Sequence, residues 1–177
     1  MKYTDIEVMI VKSLKTDMRT GVVFVLILGT MSHFFYAWTN NNFFVGLFTP
    51  VSESVWEHMK LIFFPMLLYF LIILPKQRTA FPCLVSAFPA GILLGTVLIP
   101  VIYYTYTGIL GFHTLPLDIG TFILSVIAAF YYAYRAALTC RLENRSALLW
   151  AAVWCLGICF VIFTYFPGSF NIFRMPS

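Results

Sequence analysis

"NNNFFVGLFTPVSESVWEHMKLIFFPMLL", residues 40–68, sets a polar cluster directly against a long apolar run. Ser52, Glu53, Ser54, Glu57, His58 and Lys60 crowd one short stretch, and "LIFFPMLLYFLIIL", residues 61–74, follows without a single charge. The whole segment 51–74 exceeds the ~20 residues that a helix needs to cross a ~30 Å hydrocarbon layer. It shows no period-two alternation, and lipid leaves no backbone group unpaired, so a spanning helix is the reading and a barrel strand is not.

Outward from this segment the pattern recurs. Apolar segments lie at about 21–38, 51–74, 81–106, 117–134 and 147–166. The chain has 177 residues, 61% hydrophobic and 10% charged, with a mean hydropathy of +0.90. A soluble domain carries roughly 25% charged residues. We therefore expect an all-α, polytopic membrane protein, a five-helix bundle forming a single transmembrane domain over residues 1–177. That length leaves no room for a separate soluble catalytic module. The net charge of +4 is spread singly between apolar segments and forms no basic stripe, which argues against a nucleic-acid partner. Asp5, Glu7 and Asp17 interrupt the start, and no small-residue cleavage pattern follows, so the first span is expected to stay in the mature chain.

The connectors predict orientation. Lys12, Lys15 and Arg19 precede the first span, Lys76 and Arg78 follow the second, and Arg135, Arg141 and Arg145 surround the link between the fourth and fifth. "TNNNFFVGLFTP" and "TYTGILGFHTLP" hold neither lysine nor arginine. The positive-inside rule then places the N-terminus inside and the C-terminus outside. His33, His58 and His113, with Glu53, Glu57 and Asp118, all fall toward the outer face. Carboxylates at a membrane boundary need partners or water and are functional suspects by default.

Proline and glycine bear on packing. Pro65 inside the second span removes the hydrogen bond to the Leu61 carbonyl and predicts a kink. Gly91 and Gly95 stand at GxxxG spacing, which marks close helix packing and allows a homodimer or a larger membrane partner. The four cysteines form no CxxC pair and read as buried small hydrophobes.

For the polar cluster, one reading is a helix start. Thr49 before Pro50, or Ser52, would cap it, and Glu53 would stand in its first turn with Glu57 and Lys60 on the same face. Trp56 would then anchor the interface, and Lys60 would snorkel outward. A second reading is a zinc centre built from His33, His58 and His113, with Glu57 or Asp118 as base, able to activate water against a carbonyl or a phosphoester. A third makes His33, Trp38, Asn40, Glu53, Ser54, Glu57, His58, Lys60 and Asp118 the lining of an outward-facing cavity that binds or transports a small molecule or lipid. The inner halves of the spans carry almost no charge, which favours a blind cavity over a pore. Asn40, Asn41 and Asn42 also read as turn residues, and Asp118 as a cap for the fourth span.

The stretch 33–65, "HFFYAWTNNNFFVGLFTPVSESVWEHMKLIFFP", resembles the signature of a family of small bacterial integral membrane proteins of uncharacterised function, found mostly in Gram-positive anaerobes. The match runs through His33, Tyr36, Trp38, Gly46, Pro50, Val51, Glu53, Ser54, Val55, Trp56, Glu57, His58 and Lys60, with Ser52 where asparagine is expected. The resemblance implies a multi-pass protein of the bacterial plasma membrane with a polar element at the second span. It implies no substrate and no catalytic residue. The reading that follows is a membrane protein with an outer polar cavity for a small molecule or lipid, the alternatives being a zinc-dependent intramembrane hydrolase and a structural subunit of a membrane complex.

Overall fold

Each apolar segment becomes a helix in the computed structural model, which describes residues 2–175 and, for residues 2–7 and 10, the backbone alone. The helices are α1 (Lys2–Trp38), a single turn α2 (Phe43–Gly46), α3 (Val55–Gln77), α4 (Leu84–Leu110), α5 (Leu115–Thr139) and α6 (Ser146–Tyr165). Among the described residues, five helices are long and apolar enough to cross a membrane. The chain is thus a helical membrane-spanning protein, as the composition requires.

Boundaries moved most at the N-terminus. The polar stretch through Lys12, Lys15 and Arg19, expected to precede the first span, is part of α1, whose apolar window begins at Val11. At 1.5 Å per residue its 37 residues extend roughly 55 Å, so α1 projects well beyond the hydrocarbon layer. Alternating charged and apolar residues with good helix propensity carry the helix onward where the hydropathy falls.

α1, α3, α4 and α5 pack as a closed ring, each touching its two neighbours, and α6 lies outside against α4. The interior is filled by Ile62, Phe63, Met66 and Phe70 of α3, Phe88 and Ile92 of α4, and Val126 and Phe130 of α5, all at most 4% exposed. Large apolar side chains such as Leu71, Ile72, Tyr131, Trp154 and Ile158 face outward on every side, as a bilayer solvent permits and water does not.

Prolines and glycines set the approaches between helices. Pro65 frees the Leu61 carbonyl of α3, and Gly29 of α1 lies so close that an added Cβ would stand 2.6 Å from that oxygen. Pro89 frees the Val85 carbonyl of α4, which accepts a hydrogen bond from the Trp150 indole of α6 at 2.8 Å. Gly91 and Gly95 press on Ser125, Ala129 and Ala133 of α5. The GxxxG face is therefore consumed inside the chain, and the argument it offered for a homodimer falls away. A Gly91→Ala side chain would meet the Ala129 carbonyl at 2.8 Å and the Ala133 methyl at 2.9 Å. We expect it to cost about 1–3 kcal/mol by overpacking, read as earlier unfolding in mixed detergent micelles, with unchanged stability refuting this contact.

The cysteines are not the four buried free thiols that the sequence predicts. Cys83, before α4, and Cys140, which ends α5 with φ 51°, are joined in a disulfide with Cα atoms 5.3 Å apart. Cys155 is exposed and Cys159 half-buried on α6. Local spacing carried no sign of the pair because its 57-residue separation is closed only by packing α4 on α5. At the same end of the bundle Asp17 of α1 accepts from Lys76 (2.6 Å) and Gln77 (2.5 Å) of α3, fastening the two helices.

Candidate metal centre

Where α1 ends, Asn40 and Asn41 take left-handed φ values of 55° and 59°, and Asn42 caps α2 by accepting from the Phe44 and Val45 amides. Short polar side chains tolerate that backbone, so the asparagines act as turn residues. They return the chain toward the start of α3.

The start of α3 differs from the expectation. Its N-cap is Ser54, not Thr49 or Ser52: the Ser54 hydroxyl accepts the Glu57 amide at 3.3 Å. Sequence reasoning missed this cap, although the S-x-x-E spacing from Ser54 to Glu57 was the signal that could have found it; the Glu57 carboxylate accepts from the Val51 amide and not from that of Ser54. Glu53 consequently precedes the helix, and its side chain does not share a face with Glu57 and Lys60. The two carboxylates part company.

Glu57 turns inward. One of its oxygens accepts the Val51 amide at 3.0 Å and the Lys60 ammonium at 2.8 Å. Lys60 is wholly buried, against the expectation that it would snorkel to the surface. Its Nζ also donates to the carbonyls of Gly46 (3.0 Å) and Thr49 (3.4 Å) and to the Thr164 hydroxyl of α6 (2.6 Å). A buried ammonium is tolerable only when paired and hydrogen-bonded, and this one ties the 46–51 loop, α3 and α6 together. Glu57 is thereby engaged and not free to serve as a base.

Glu53 turns the other way, between two histidines. Its Oε1 lies 3.4 Å from His33 Nε2 of α1 and its Oε2 lies 3.5 Å from His58 Nε2 of α3. The rings of His33 and His58 have centroids 5.3 Å apart. One donor atom from each of the three residues falls within 4.8 Å of the others. Glu53 is 64% exposed, whereas His33 and His58 are half-buried, so the group opens toward solvent through the carboxylate.

The tautomer of His58 follows from a neighbour. Its Nδ1 is 2.9 Å from the Ser54 carbonyl, which only accepts, so Nδ1 carries the proton and in the neutral ring Nε2 presents a lone pair toward Glu53. A lone pair aimed at a carboxylate is repulsive unless a cation, proton or metal, lies between them. Anchoring the distal ring N–H on a backbone carbonyl is also how metal-bound histidines are held. His33 Nδ1 is buried without a partner among the described residues.

The remaining candidates lie apart from this group. His113 faces Asp118, with Nδ1 3.3 Å from Oδ2, and Asp118 also accepts from the Tyr106 hydroxyl. His113 therefore does not complete the three-histidine set. Asp118, in the first turn of α5, makes no side-chain cap; the cap position is Thr114. Trp38 is exposed and stacks on Phe34. A cavity of about 450 Å³ lies beside His113, and a second of about 250 Å³ runs between the start of α3 and the tail after α6. The single shared pocket expected from sequence is thus divided into a His33–Glu53–His58 group, a buried Glu57–Lys60 knot and a His113–Asp118 pair.

No curated protein and no solved structure is similar to this chain. A family model covers residues 6–176, including every residue of the three groups described, and on that match the chain belongs to the family described as "Family of unknown function (DUF6512)".

Proposed function

We propose that His33, Glu53 and His58 hold one divalent metal ion, zinc by donor type, and that the protein is a metal-dependent hydrolase of the bacterial plasma membrane. The observation that carries this reading is the His58 ring, fixed through Nδ1 on the Ser54 carbonyl with Nε2 turned to Glu53 and His33. Glu53 Oε1 lies 3.4 Å from His33 and its Oε2 3.5 Å from His58, each near the ~3.3 Å between two donors of a tetrahedral zinc site, while one donor atom from each of the three residues lies within 4.8 Å of the others. Two histidines and one carboxylate leave a fourth position for water, the pattern of catalytic rather than structural zinc. A metal held by these three residues would supply Lewis-acid chemistry, lowering the pKa of a water for hydrolysis of an ester or phosphoester at the membrane surface.

Purified protein should carry about one zinc per chain after exhaustive dialysis, and Glu53→Ala should lower the affinity by more than tenfold. Protein without metal that also fails to take up added zinc or cobalt ends the reading. The cavity reading loses support at this group, because neither large cavity is lined by His33, Glu53 or His58.

The basic connectors support an inner N-terminus, which puts the metal group outside. This orientation sets the Cys83–Cys140 pair in the cytoplasm, where thiols are kept reduced. The Cys83–Cys140 disulfide weighs against this orientation, under which a Lys76→Cys variant in intact cells should be alkylated only by a membrane-permeant reagent. A Lys76→Cys variant labelled by an impermeant reagent, together with an oxidised Cys83–Cys140 pair, reverses the orientation.

A further inference from the structure

We infer that the 450 Å³ cavity beside His113 binds the phosphate of a phosphoester anion, with a phospholipid headgroup as its source. This site is separate from the metal group and does not depend on it. The cavity is formed where α4 ends, between Tyr104 and Thr107 of α4, His113 of the following turn, Val55 of α3, and Asn171 and Arg174 of the tail. Its volume falls within the range of small-molecule sites.

Two features point to an anion. Arg174 takes part in none of the ion pairs among the described residues, and its guanidinium forks naturally onto two phosphate oxygens. Asn171 and the Tyr104 hydroxyl add neutral donors on the same walls, whereas the Thr107 hydroxyl already donates to the Tyr103 carbonyl at 2.8 Å.

Location selects the lipid. The cavity sits at the end of the Leu84–Leu110 span, beside the exposed side chains of Ile109, Leu110 and Phe112, which a bilayer would cover. A headgroup can enter there while its acyl chains stay in the hydrocarbon against α4. Gly111, at φ 79° and with nothing within 4 Å of an added Cβ, turns the chain sharply and leaves the entrance open.

The test is native mass spectrometry of the full chain in detergent, titrated with dihexanoyl phosphatidylglycerol, dihexanoylglycerol and inorganic phosphate. Phosphatidylglycerol should bind once per chain, dihexanoylglycerol at least tenfold more weakly, and Arg174→Gln should weaken phosphatidylglycerol at least tenfold. Arg174 is exposed, so this variant should fold; its α-helical circular dichroism checks that, and Asn171→Ala, expected to weaken binding about threefold, provides a second readout. Inorganic phosphate that fails to compete supports the lipid as the source, whereas full competition at equal concentration keeps the phosphate site and assigns it to the free ion. Equal binding of dihexanoylglycerol, or Arg174→Gln binding equal to wild type, overturns the inference.

Discussion

Replacing Lys60 with methionine should destabilise the protein by about 3–5 kcal/mol, the typical cost of leaving one half of a buried ion pair uncompensated. Methionine matches the length of the lysine stem, so the loss is electrostatic and not a cavity. Glu57, 3% exposed, would keep its Val51 hydrogen bond but lose its cation. The carbonyls of Gly46 and Thr49 and the Thr164 hydroxyl would lose a donor together. The double variant Lys60→Met, Glu57→Gln removes both charges and should recover most of the loss, as charge-free replacements of buried pairs do. Unfolding in mixed micelles measures this, and a single variant as stable as wild type would show that the pair carries no such weight.

The metal group should respond differently. His58→Ala removes the donor whose orientation the Ser54 carbonyl fixes, and zinc affinity should fall by more than about 100-fold, since loss of an outer partner alone costs about 10–100-fold. Helix content should be retained, because His58 is half-buried and contributes no contact to the Lys60 knot. Lys60→Met, where it folds, should keep its zinc. Metal content by elemental analysis and competition with a chromophoric chelator read both variants. Retention of wild-type affinity in His58→Ala removes the ion from this group and leaves Glu53 as a carboxylate shared by two protonatable rings. Acidification should also release the metal, because bound imidazole and carboxylate must be deprotonated.

The two predictions separate roles that the sequence merges. Glu53, Glu57, His58 and Lys60 fall within a few residues and invite treatment as one site. A one-turn shift of the helix start decides between them. With Ser54 as the cap, Glu53 lies before the helix and reaches α1, while Glu57 and Lys60, three apart, point into the bundle toward α6.

The sequence by itself determined the class of fold. Apolar segments of spanning length force helices, because a backbone in lipid must satisfy itself, and that condition needs no knowledge of neighbours. The asparagine turn at 40–42 and the proline that frees the Leu61 carbonyl were legible for the same reason: they are properties of the local backbone. The S-x-x-E spacing at Ser54 is just as local, yet it was missed in favour of Thr49 and Ser52. Only the tertiary structure decided which side chains meet. His33 and His58 converge because α1 packs on α3, His113 stays with Asp118 because both flank the α4–α5 turn, and Cys83 reaches Cys140 because α4 packs on α5. Burial of Lys60 depends on a hydroxyl 104 residues away, and the Gly91–Gly95 face is spent on small residues of α5. Hydropathy marks which residues leave water but carries no information on which helix face each will find, since lipid and protein interiors are equally apolar and the choice rests on close packing and paired polar groups.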